Sequence, residues 1–309
     1  MKRPDYDLVI IGGGPAGLTA GLYSARARLN VILIEKMVLG GQILVTDWIE
    51  NYPGFPEGIS GADFVQRMTE QVKRFDLKIE TNSVISMDLS KPVKKINLSD
   101  KTITAYAIII ATGASPQKLA VPGEDTFFGK GVSSCATCDG PFFRNCILAA
   151  VGGGDTAVQE AVFLTKFAKK VYLIHRRDQL RADKIIQERA FSNEKIEIIW
   201  DSAVTRIDGS EGVEKISIKN LKTGETKEIL VDGCFIWVGV SPNTDFIDNA
   251  VKQDENGFII TNLKMETSVP GVFAAGDVRN TPLRQLTTAE GDGAIAAYSA
   301  EHYIHTVEK

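Results

Sequence analysis

The sequence predicts an α/β protein of two domains, with the second domain inserted in the first. Three observations lead to this prediction. The chain has 309 residues, enough for two domains that each bury a core. It contains two segments of one pattern, in which a strand, a glycine turn, a helix and a parallel strand follow one another. It also contains two Ser-Pro turns, each after a glycine that closes an apolar run.

The repeated segments predict the centre of each sheet. In the first, an apolar run precedes the glycine turn at residues 12–17, and the second strand ends at Glu35. In the other, an apolar run precedes the turn at residues 152–157, and the second strand ends at His175. The spacing from the first glycine to the last residue is 23 in both cases. One glycine motif alone is weak evidence, but two with equal spacing predict two nucleotide sites.

Other apolar runs predict further strands of the same sheets, at residues 107–110, 234–238 and 271–275. Shorter alternating segments with turn residues lie between residues 85 and 105 and between residues 196 and 231. Alternation of this kind indicates antiparallel meanders.

The Ser-Pro turns at residues 114–116 and 240–242 set the expected domain boundaries. Residues 117–241 would form the inserted domain, and residues 1–116 plus 242–309 the first one. The predicted fold class is therefore α/β, with two Rossmann-like dinucleotide-binding domains of the three-layer ββα type, the second inserted in the first. Two chain crossings side by side would form a hinge.

The first glycine motif has the residues that a dinucleotide pyrophosphate requires. Gly12 permits the tight turn, Gly14 lets the backbone approach the phosphates, and Gly17 allows close packing of helix on strand. The helix N-terminus offers free N–H groups and a positive dipole. Glu35 can accept hydrogen bonds from a ribose hydroxyl. The alternative is a glycine-rich turn without a ligand.

The second glycine motif predicts NADPH and not NADH. Ala157 replaces the third glycine, and His175 replaces the acid. Arg176, Arg177 and Arg181 follow. A carboxylate here would repel a 2′-phosphate, whereas guanidinium groups bind it bidentately. The alternative is a solvated cationic turn.

The chain carries a CxxC pair, Cys135 and Cys138, with Asp139 directly after it. Such a pair can close a reversible disulfide, and the neighbouring carboxyl can move the proton that thiol chemistry needs. Half of a zinc site is the alternative, but the other cysteines and histidines lack the spacing of a second ligand pair, so we expect no metal. Cys146 and Cys234 belong to apolar strands, where we expect buried, unreactive thiols.

Composition and charge narrow the class of protein. The net charge of −4 gives no basic balance, so we expect no nucleic-acid binding. Glycines interrupt the N-terminal apolar run, and no apolar stretch approaches the length of a membrane span. We therefore expect a cytoplasmic protein that does not bind membranes.

Taken together, the motifs resemble those of the low-molecular-weight thioredoxin reductase family. They run in the family's order over essentially the whole chain, and they are Gly40-Gly41-Gln42, Asn51-Tyr-Pro-Gly-Phe-Pro56, Cys135-Ala-Thr-Cys-Asp-Gly140, Gly152-Gly-Gly-Asp-Thr-Ala157, His175-Arg-Arg177, Gly271-Val-Phe-Ala-Ala-Gly-Asp277, Arg284-Gln285 and Gly291-Asp-Gly293.

The resemblance implies FAD in the first domain, NADPH in the inserted domain with the CxxC, and a homodimer. It implies FAD contacts at Gly12, Gly14, Pro15, Ala16, Gly17, Glu35, Lys36, Gly41, Gln42, Asn51, Ala111, Thr112, Gly113, Gly276, Asp277, Arg284, Gln285 and Leu286. Of these, Gly41, Gln42 and Asn51 would lie near the isoalloxazine ring. It implies NADPH contacts at Gly152, Gly154, Asp155, Thr156, Ala157, His175, Arg176, Arg177 and Arg181.

The resemblance also implies roles for the catalytic residues. Hydride passes from NADPH to FAD, then to the Cys135–Cys138 disulfide, and the dithiol exchanges with oxidised thioredoxin. Cys138 contacts the flavin, Cys135 attacks thioredoxin or a similar small disulfide protein, and Asp139 donates and accepts the proton. Pro141 departs from the family, which often has an aromatic residue directly after Asp-Gly, so the preferred partner stays open.

Two kinds of alternative remain beside this interpretation. Ferredoxin-dependent relatives and flavin-dependent dithiol oxidases lose the NADPH motifs, which are intact here. A non-catalytic redox sensor would switch partner affinity through the CxxC, and the sequence does not exclude it as a side role.

Overall fold

The fold is given by a computed structural model, which describes residues 3–46, 48–247 and 250–307. Within these ranges the strands are β1 (Tyr6–Ile11), β2 (Val31–Glu35), β3 (Lys78–Thr81), β4 (Val84–Asp88), β5 (Lys94–Leu98), β6 (Thr102–Ile110), β7 (Ala114–Pro116), β8 (Val132–Ser133), β9 (Ile147–Gly152), β10 (Lys170–Ile174), β11 (Ile196–Ile199), β12 (Ser202–Gly209), β13 (Val213–Asn220), β14 (Thr226–Leu230), β15 (Gly233–Trp237), β16 (Val240–Pro242) and β17 (Val272–Ala274). The α-helices are α1 (Pro15–Arg26), α2 (Gly61–Lys73), α3 (Glu124–Phe127), α4 (Ala136–Asp139), α5 (Asp155–Leu164), α6 (Lys184–Phe191) and α7 (Leu286–Val307).

The chain divides into two compact units. Unit 1 comprises Met1–Ser115 and Ser241–Lys309, and unit 2 comprises Pro116–Val240. The chain passes between them twice, in the short strands β7 and β16, which pair with each other.

Unit 1 is built on a sheet in the order β3-β2-β1-β6-β5-β4, with β17 also paired to β6. Strands β3, β2, β1, β6 and β17 run parallel to one another. Strands β4, β5 and β6 form an antiparallel meander. Neighbouring residues of β1 face opposite sides of the sheet. Leu8 and Ile10 pack with α1 and α7, while Val9 and Ile11 pack toward the meander. Burial on both faces explains why β1 is a continuous apolar run.

Unit 2 repeats this plan with a parallel sheet in the order β11-β10-β9-β15-β8 and a separate antiparallel meander, β12-β13-β14. The predicted fold class is correct, but the predicted meander at 196–231 began too early. Residues of β11 pair in parallel with β10 and extend the main sheet, and only the later part is antiparallel. A short apolar strand has the same pattern in either setting, so periodicity does not distinguish them.

None of the helices in the described ranges, including the 22-residue α7, combines the length and apolar content that a membrane crossing needs.

Candidate active site

In unit 1, the first glycine turn admits only glycine at two positions and leaves open space at a third. Gly12 has a φ of +106°, and a Cβ there would lie 2.4 Å from the Ala111 carbonyl oxygen. A Cβ on Gly17 would lie 1.8 Å from the Gly12 oxygen. A Cβ on Gly14, in contrast, would meet no atom closer than 4.0 Å. The turn is therefore packed toward the protein and open at Gly14, as a phosphate site requires.

The carboxylate of Glu35 is tied to the backbone of this turn. Its Oε2 accepts a hydrogen bond from Gly13 N–H at 2.6 Å, and its Oε1 accepts one from Met37 N–H at 2.9 Å. Each carboxylate oxygen keeps a further lone pair for a ribose hydroxyl. The next residue, Lys36, is exposed. The N-terminus of α1 has no side-chain cap, so its N–H groups stay available for an anion, with Pro15 and Ala16 in the first turn.

Other predicted FAD contacts in unit 1 also lie close to one another. Gly41 lies beside the turn, since a Cβ on it would be 3.4 Å from the Gly14 Cα. Gln42 follows in a short 3-10 helix, Gly41–Val45, and is exposed. Asn51 Nδ2 donates to Gln285 Oε1 at 3.1 Å, although 234 residues separate them.

The carboxyl end of β6 is held by a residue that the motifs did not single out, Asn243. Its Nδ2 donates to the Thr112 carbonyl at 2.8 Å, and Thr112 Oγ1 donates to the Asn243 carbonyl at 2.7 Å. Asn243 N–H donates to the carbonyl of Gly113 at 3.0 Å. Ala111 donates its N–H to the Ile11 carbonyl at 2.8 Å, which joins the ends of β1 and β6.

A second unpredicted pair supports the segment with Gly276 and Asp277. Arg279 Nε donates to Asp292 Oδ2 at 2.7 Å, and Arg279 Nη2 donates to Asp292 Oδ1 at 3.1 Å. Gly276 N–H donates to the same Oδ2 at 3.2 Å. Burial raises the pKa of the Asp277 carboxyl, while the positive charge of Arg284 opposes this shift. Asp292 belongs to the Gly291-Asp-Gly293 motif, but its structural role becomes visible only from its ion pair with Arg279.

The residues at the start of α7 leave polar capacity for a ligand. Arg284 stacks on Phe258 with 4.2 Å between the guanidinium carbon and the ring centroid. The Nε of Arg284 is buried and finds no hydrogen-bond partner among the described residues. Leu286 packs against the aromatic cluster around Phe64. An open glycine turn and an unpaired buried guanidinium donor fit the phosphates and carbonyl oxygens of FAD.

In unit 2, the second glycine turn has the same construction. Gly152 has a φ of +150°, and a Cβ on it would lie 2.3 Å from the Trp237 carbonyl oxygen. A Cβ on Gly154 would meet nothing within 4 Å. Asp155 and Thr156 begin α5, where Asp155 Oδ1 accepts a hydrogen bond from Asp183 N–H at 2.7 Å, and Ala157 is buried beneath. This open turn fits a second pyrophosphate.

The residues after β10 divide into one buried histidine and three exposed arginines. His175 is 4% exposed, and its Nε2 lies 3.0 Å from the Gln179 carbonyl oxygen. Burial lowers the pKa of the imidazole, so the ring is neutral and packs under the turn. Arg176, Arg177 and Arg181 are exposed. Arg181 N–H also donates to the Gly153 carbonyl at 2.7 Å, which ties the arginine loop to the turn.

Cys135 and Cys138 form a disulfide at the start of α4, also in unit 2. Cys138 N–H donates to Cys135 Sγ at 3.1 Å, and Asp139 N–H donates to the Cys135 carbonyl at 3.1 Å. Two residues outside the CxxC hold this loop. Ser133 Oγ accepts from Cys135 N–H at 3.0 Å, and Trp237 Nε1 donates to the Ser134 carbonyl at 2.9 Å.

The other two cysteines differ from each other. Cys234 is fully buried in β15, and burial raises its pKa to about 12. Cys146 is only half-buried, and burial raises its pKa as well. Both thiols are therefore less reactive than a free cysteine. In the part of the chain that the structure describes, no group of three or more His, Cys, Asp or Glu side chains could hold a metal ion.

Two open glycine turns, each on its own parallel sheet, together with a CxxC disulfide define a nucleotide-dependent disulfide oxidoreductase. Residues 6–293 match the pyridine nucleotide-disulphide oxidoreductase family. The chain belongs to this family.

Relatives specify the branch of the family. Thioredoxin reductase of Peptoclostridium acidaminophilum is 47% identical over 305 residues, which cover 97% of each chain. That of Bacillus subtilis is 45% identical over 98% of this chain and 96% of its own. The crystal structure of Lactococcus lactis thioredoxin reductase superposes with a TM-score of 0.96 at 46% identity, covering 98% of this chain and all of that one.

The chain is thus a thioredoxin reductase by family. The predictions of this family, of the two-domain Rossmann-type fold, and of an enzyme that uses FAD and NADPH to reduce a disulfide are confirmed.

Proposed function

We propose that the chain reduces thioredoxin disulfides with electrons from NADPH, through FAD bound at the turn of residues 12–17. NADPH binds at the turn of residues 152–157. The observation that carries the proposal is the Cys135–Cys138 disulfide, which lies in the same unit as the second turn. The shared name of the relatives supports thioredoxin as the substrate.

The division of labour follows the two units. Met1–Ser115 with Ser241–Lys309 binds FAD, and Pro116–Val240 binds NADPH and carries the cysteine pair. The remaining cofactor contacts are those expected from the sequence, except that His175 has an indirect role. Because His175 is buried under its turn, it acts by positioning the arginine loop.

FAD supplies the step from a hydride donor to a disulfide, since it accepts a hydride and passes the electron pair on. The chain's own cysteines complete the reaction. A thiolate of the reduced pair attacks the partner disulfide and forms a mixed disulfide, and one partner sulfur leaves as a thiolate. The second cysteine then attacks the mixed disulfide, which restores Cys135–Cys138 and releases the partner as a dithiol. Asp139 provides and takes up the protons of these thiols.

The roles of the two sulfurs are open to a direct test. The family resemblance assigns the attack on thioredoxin to Cys135, yet Cys138 is exposed whereas Cys135 is half-buried. Each single Cys→Ser variant is mixed with a thioredoxin that lacks its resolving cysteine and whose remaining thiol carries a thionitrobenzoate disulfide, so that attack by the reductase thiolate releases thionitrobenzoate as the leaving group. A mixed disulfide formed by Cys138→Ser supports attack by Cys135. A mixed disulfide formed only by Cys135→Ser reverses the roles and leaves the relay itself intact.

NADPH selectivity rests on Arg176, Arg177 and Arg181. An arginine hydrogen-bonded to the 2′-phosphate contributes about 1.5–3 kcal/mol, roughly a 10- to 150-fold preference. The variant Arg176→Ala/Arg177→Ala should raise the KM for NADPH and leave that for NADH nearly unchanged. Lys222→Ala, which removes an exposed lysine paired with Asp178 nearby, is the control for a general loss of positive charge.

The decisive experiment is thioredoxin turnover by the FAD-loaded protein with NADPH or NADH at equal concentration. Selective turnover with NADPH supports both nucleotide assignment and the dithiol relay. Cys135→Ser should lose thioredoxin reduction and keep reduction of the flavin by NADPH. Flavin reduction without thioredoxin reduction by the wild type would reject thioredoxin as the partner, as expected for a redox sensor.

A homodimer and a cytoplasmic location complete the proposal. The family resemblance supports the dimer, and a reversible CxxC with two other thiols suits a reducing compartment. Sedimentation of the FAD-loaded protein measures the first, and cell fractionation the second.

A further inference from the structure

In unit 1, two consecutive residues of one loop make hydrogen bonds to the start of α7 and to the residue just before it. Asn51 Nδ2 donates to Gln285 Oε1 at 3.1 Å. The next residue, Tyr52, donates its hydroxyl to Glu290 Oε2. The first of these pairs consists of two residues already proposed to contact FAD. The second pair has no role in the function described so far.

Tyr52 is fixed by more than this hydrogen bond. Its ring packs edge-on against Phe64 at 4.8 Å between centroids and contacts Phe55 at 5.9 Å. Such aromatic contacts define the ring's position and leave only the hydroxyl to reach across to α7. The tyrosine therefore holds Glu290 in one place.

Only one of the two carboxylate oxygens of Glu290 has a hydrogen-bond partner among the described residues. Oε2 accepts from Tyr52, but Oε1 is buried and has no hydrogen-bond partner among the described residues. Burial raises the pKa of this carboxyl, while the hydrogen bond from Tyr52 opposes the shift. A buried acceptor without a donor is unfavourable unless a ligand or water supplies one. The Arg284 Nε of the same segment is also buried and unpaired.

We propose that Glu290 is an FAD-binding residue, whose Oε1 accepts a hydrogen bond from an O–H or N–H group of the bound flavin moiety, and that Tyr52 is the positioning residue that holds Glu290 in place. Their hydrogen bond also keeps the Asn51–Gln285 pair in place, because Gln285 directly precedes α7 and Glu290 lies in the first turns of that helix. This inference rests on the proposed binding of FAD in unit 1. It adds two residues to those expected from the glycine and Gly-Asp motifs.

The test is FAD binding to the FAD-free protein, followed by flavin fluorescence, together with the visible flavin spectrum of the loaded protein. Glu290→Ala should weaken FAD binding about 10-fold or more, as expected for loss of a hydrogen bond to a charged group, and should shift the spectrum. Tyr52→Phe keeps the packed ring and should weaken binding less, by about 2- to 10-fold. The double variant should bind FAD no worse than Glu290→Ala, since both residues act through one hydrogen bond.

Matched controls lie further along α7. Tyr298→Phe removes the hydroxyl of an exposed tyrosine, and Glu301→Ala removes a carboxylate outside the segment. Both should bind FAD as the wild type does. Unchanged affinity and spectrum in Glu290→Ala would overturn the proposal. If that variant does not fold, the same unchanged result in Tyr52→Phe overturns it. The FAD site itself is tested separately by Gly14→Ala, which should lose FAD whatever Glu290 does.

Discussion

Replacing Asp292 with alanine should destabilise unit 1 more than any exposed charge substitution. Asp292 accepts hydrogen bonds from Arg279 Nε at 2.7 Å, from a second Arg279 nitrogen at 3.1 Å and from Gly276 N–H at 3.2 Å. The two side chains are only 14% and 9% exposed. Without Asp292, a buried guanidinium loses its counter-charge and keeps only hydrogen bonds to Thr261 Oγ1 and the Asn280 carbonyl.

The expected loss follows from this geometry. Breaking a buried ion pair by removing one partner costs about 3–5 kcal/mol. With a urea m-value of about 3 kcal/mol per M, the unfolding midpoint of unit 1 falls by about 1–2 M. Asp292→Asn keeps the shape but turns an amide N–H toward a donor, so about 1–3 kcal/mol should be lost. In Asp292→Ala, Gly276 also loses its acceptor, so FAD affinity should fall, whereas the remaining oxygen of Asp292→Asn can still accept from Gly276 and FAD affinity should fall less.

Urea unfolding followed by flavin release measures unit 1, because bound FAD reports on that unit under the proposed function. Lys101→Met is the control, since it breaks an exposed ion pair with Glu80 in the same unit and should cost less than about 1 kcal/mol. Replacing Arg279 and Asp292 together with leucines should cost less than Asp292→Ala, since no buried charge remains. An Asp292→Ala midpoint equal to that of Lys101→Met would refute the reasoning.

Three more outcomes follow from the packing. Gly17→Ala should fold poorly, because its Cβ would lie 1.8 Å from the Gly12 carbonyl oxygen. Gly154→Ala, whose Cβ would meet nothing within 4 Å, should fold normally and raise only the KM for NADPH. Thermal unfolding measures the first effect and steady-state kinetics the second. Burial raises the pKa of Tyr52 to about 12. The contribution of the protonated hydroxyl to folding stability is therefore full below pH about 10 and is lost between pH about 10 and about 12. Tyr52→Phe should remove this loss, which a series of unfolding midpoints at different pH values would show. Cys234 should resist alkylation at pH 8 until the protein unfolds, as mass spectrometry would show.

The parts of the site that lie close together in sequence could be predicted from the sequence. A glycine turn after an apolar strand has few possible geometries, and the steric limits at Gly12, Gly17 and Gly152 are local. The same holds for the CxxC, whose two sulfurs meet across a single helical turn. The fold class followed because two such units of equal spacing can hardly arise from any other architecture.

The supporting contacts could not be predicted, because they join residues far apart in the chain. Thr112 and Asn243 are separated by 131 residues, and Trp237 reaches Ser134 across 103. Arg279 and Asp292 are only 13 apart, yet many other charged pairs in the chain have that spacing. Nothing in a single sequence distinguishes such partners from ordinary surface residues, since burial and direction of the side chain decide them.

Under the proposed function, the residue at the end of the second strand explains how one geometry can serve two nucleotides. In both units this residue packs on the middle glycine of the turn. A Cβ on Gly13 would lie 3.1 Å from Glu35 Oε2, and one on Gly153 would lie 2.3 Å from the His175 ring. In unit 1 the Glu35 carboxylate accepts a hydrogen bond from the turn and keeps lone pairs that the proposed function assigns to ribose hydroxyls, and its negative charge would repel a 2′-phosphate. In unit 2 the buried His175 imidazole fills the same position without the negative charge of a carboxylate, which under the proposed function leaves the neighbouring arginines to bind the 2′-phosphate.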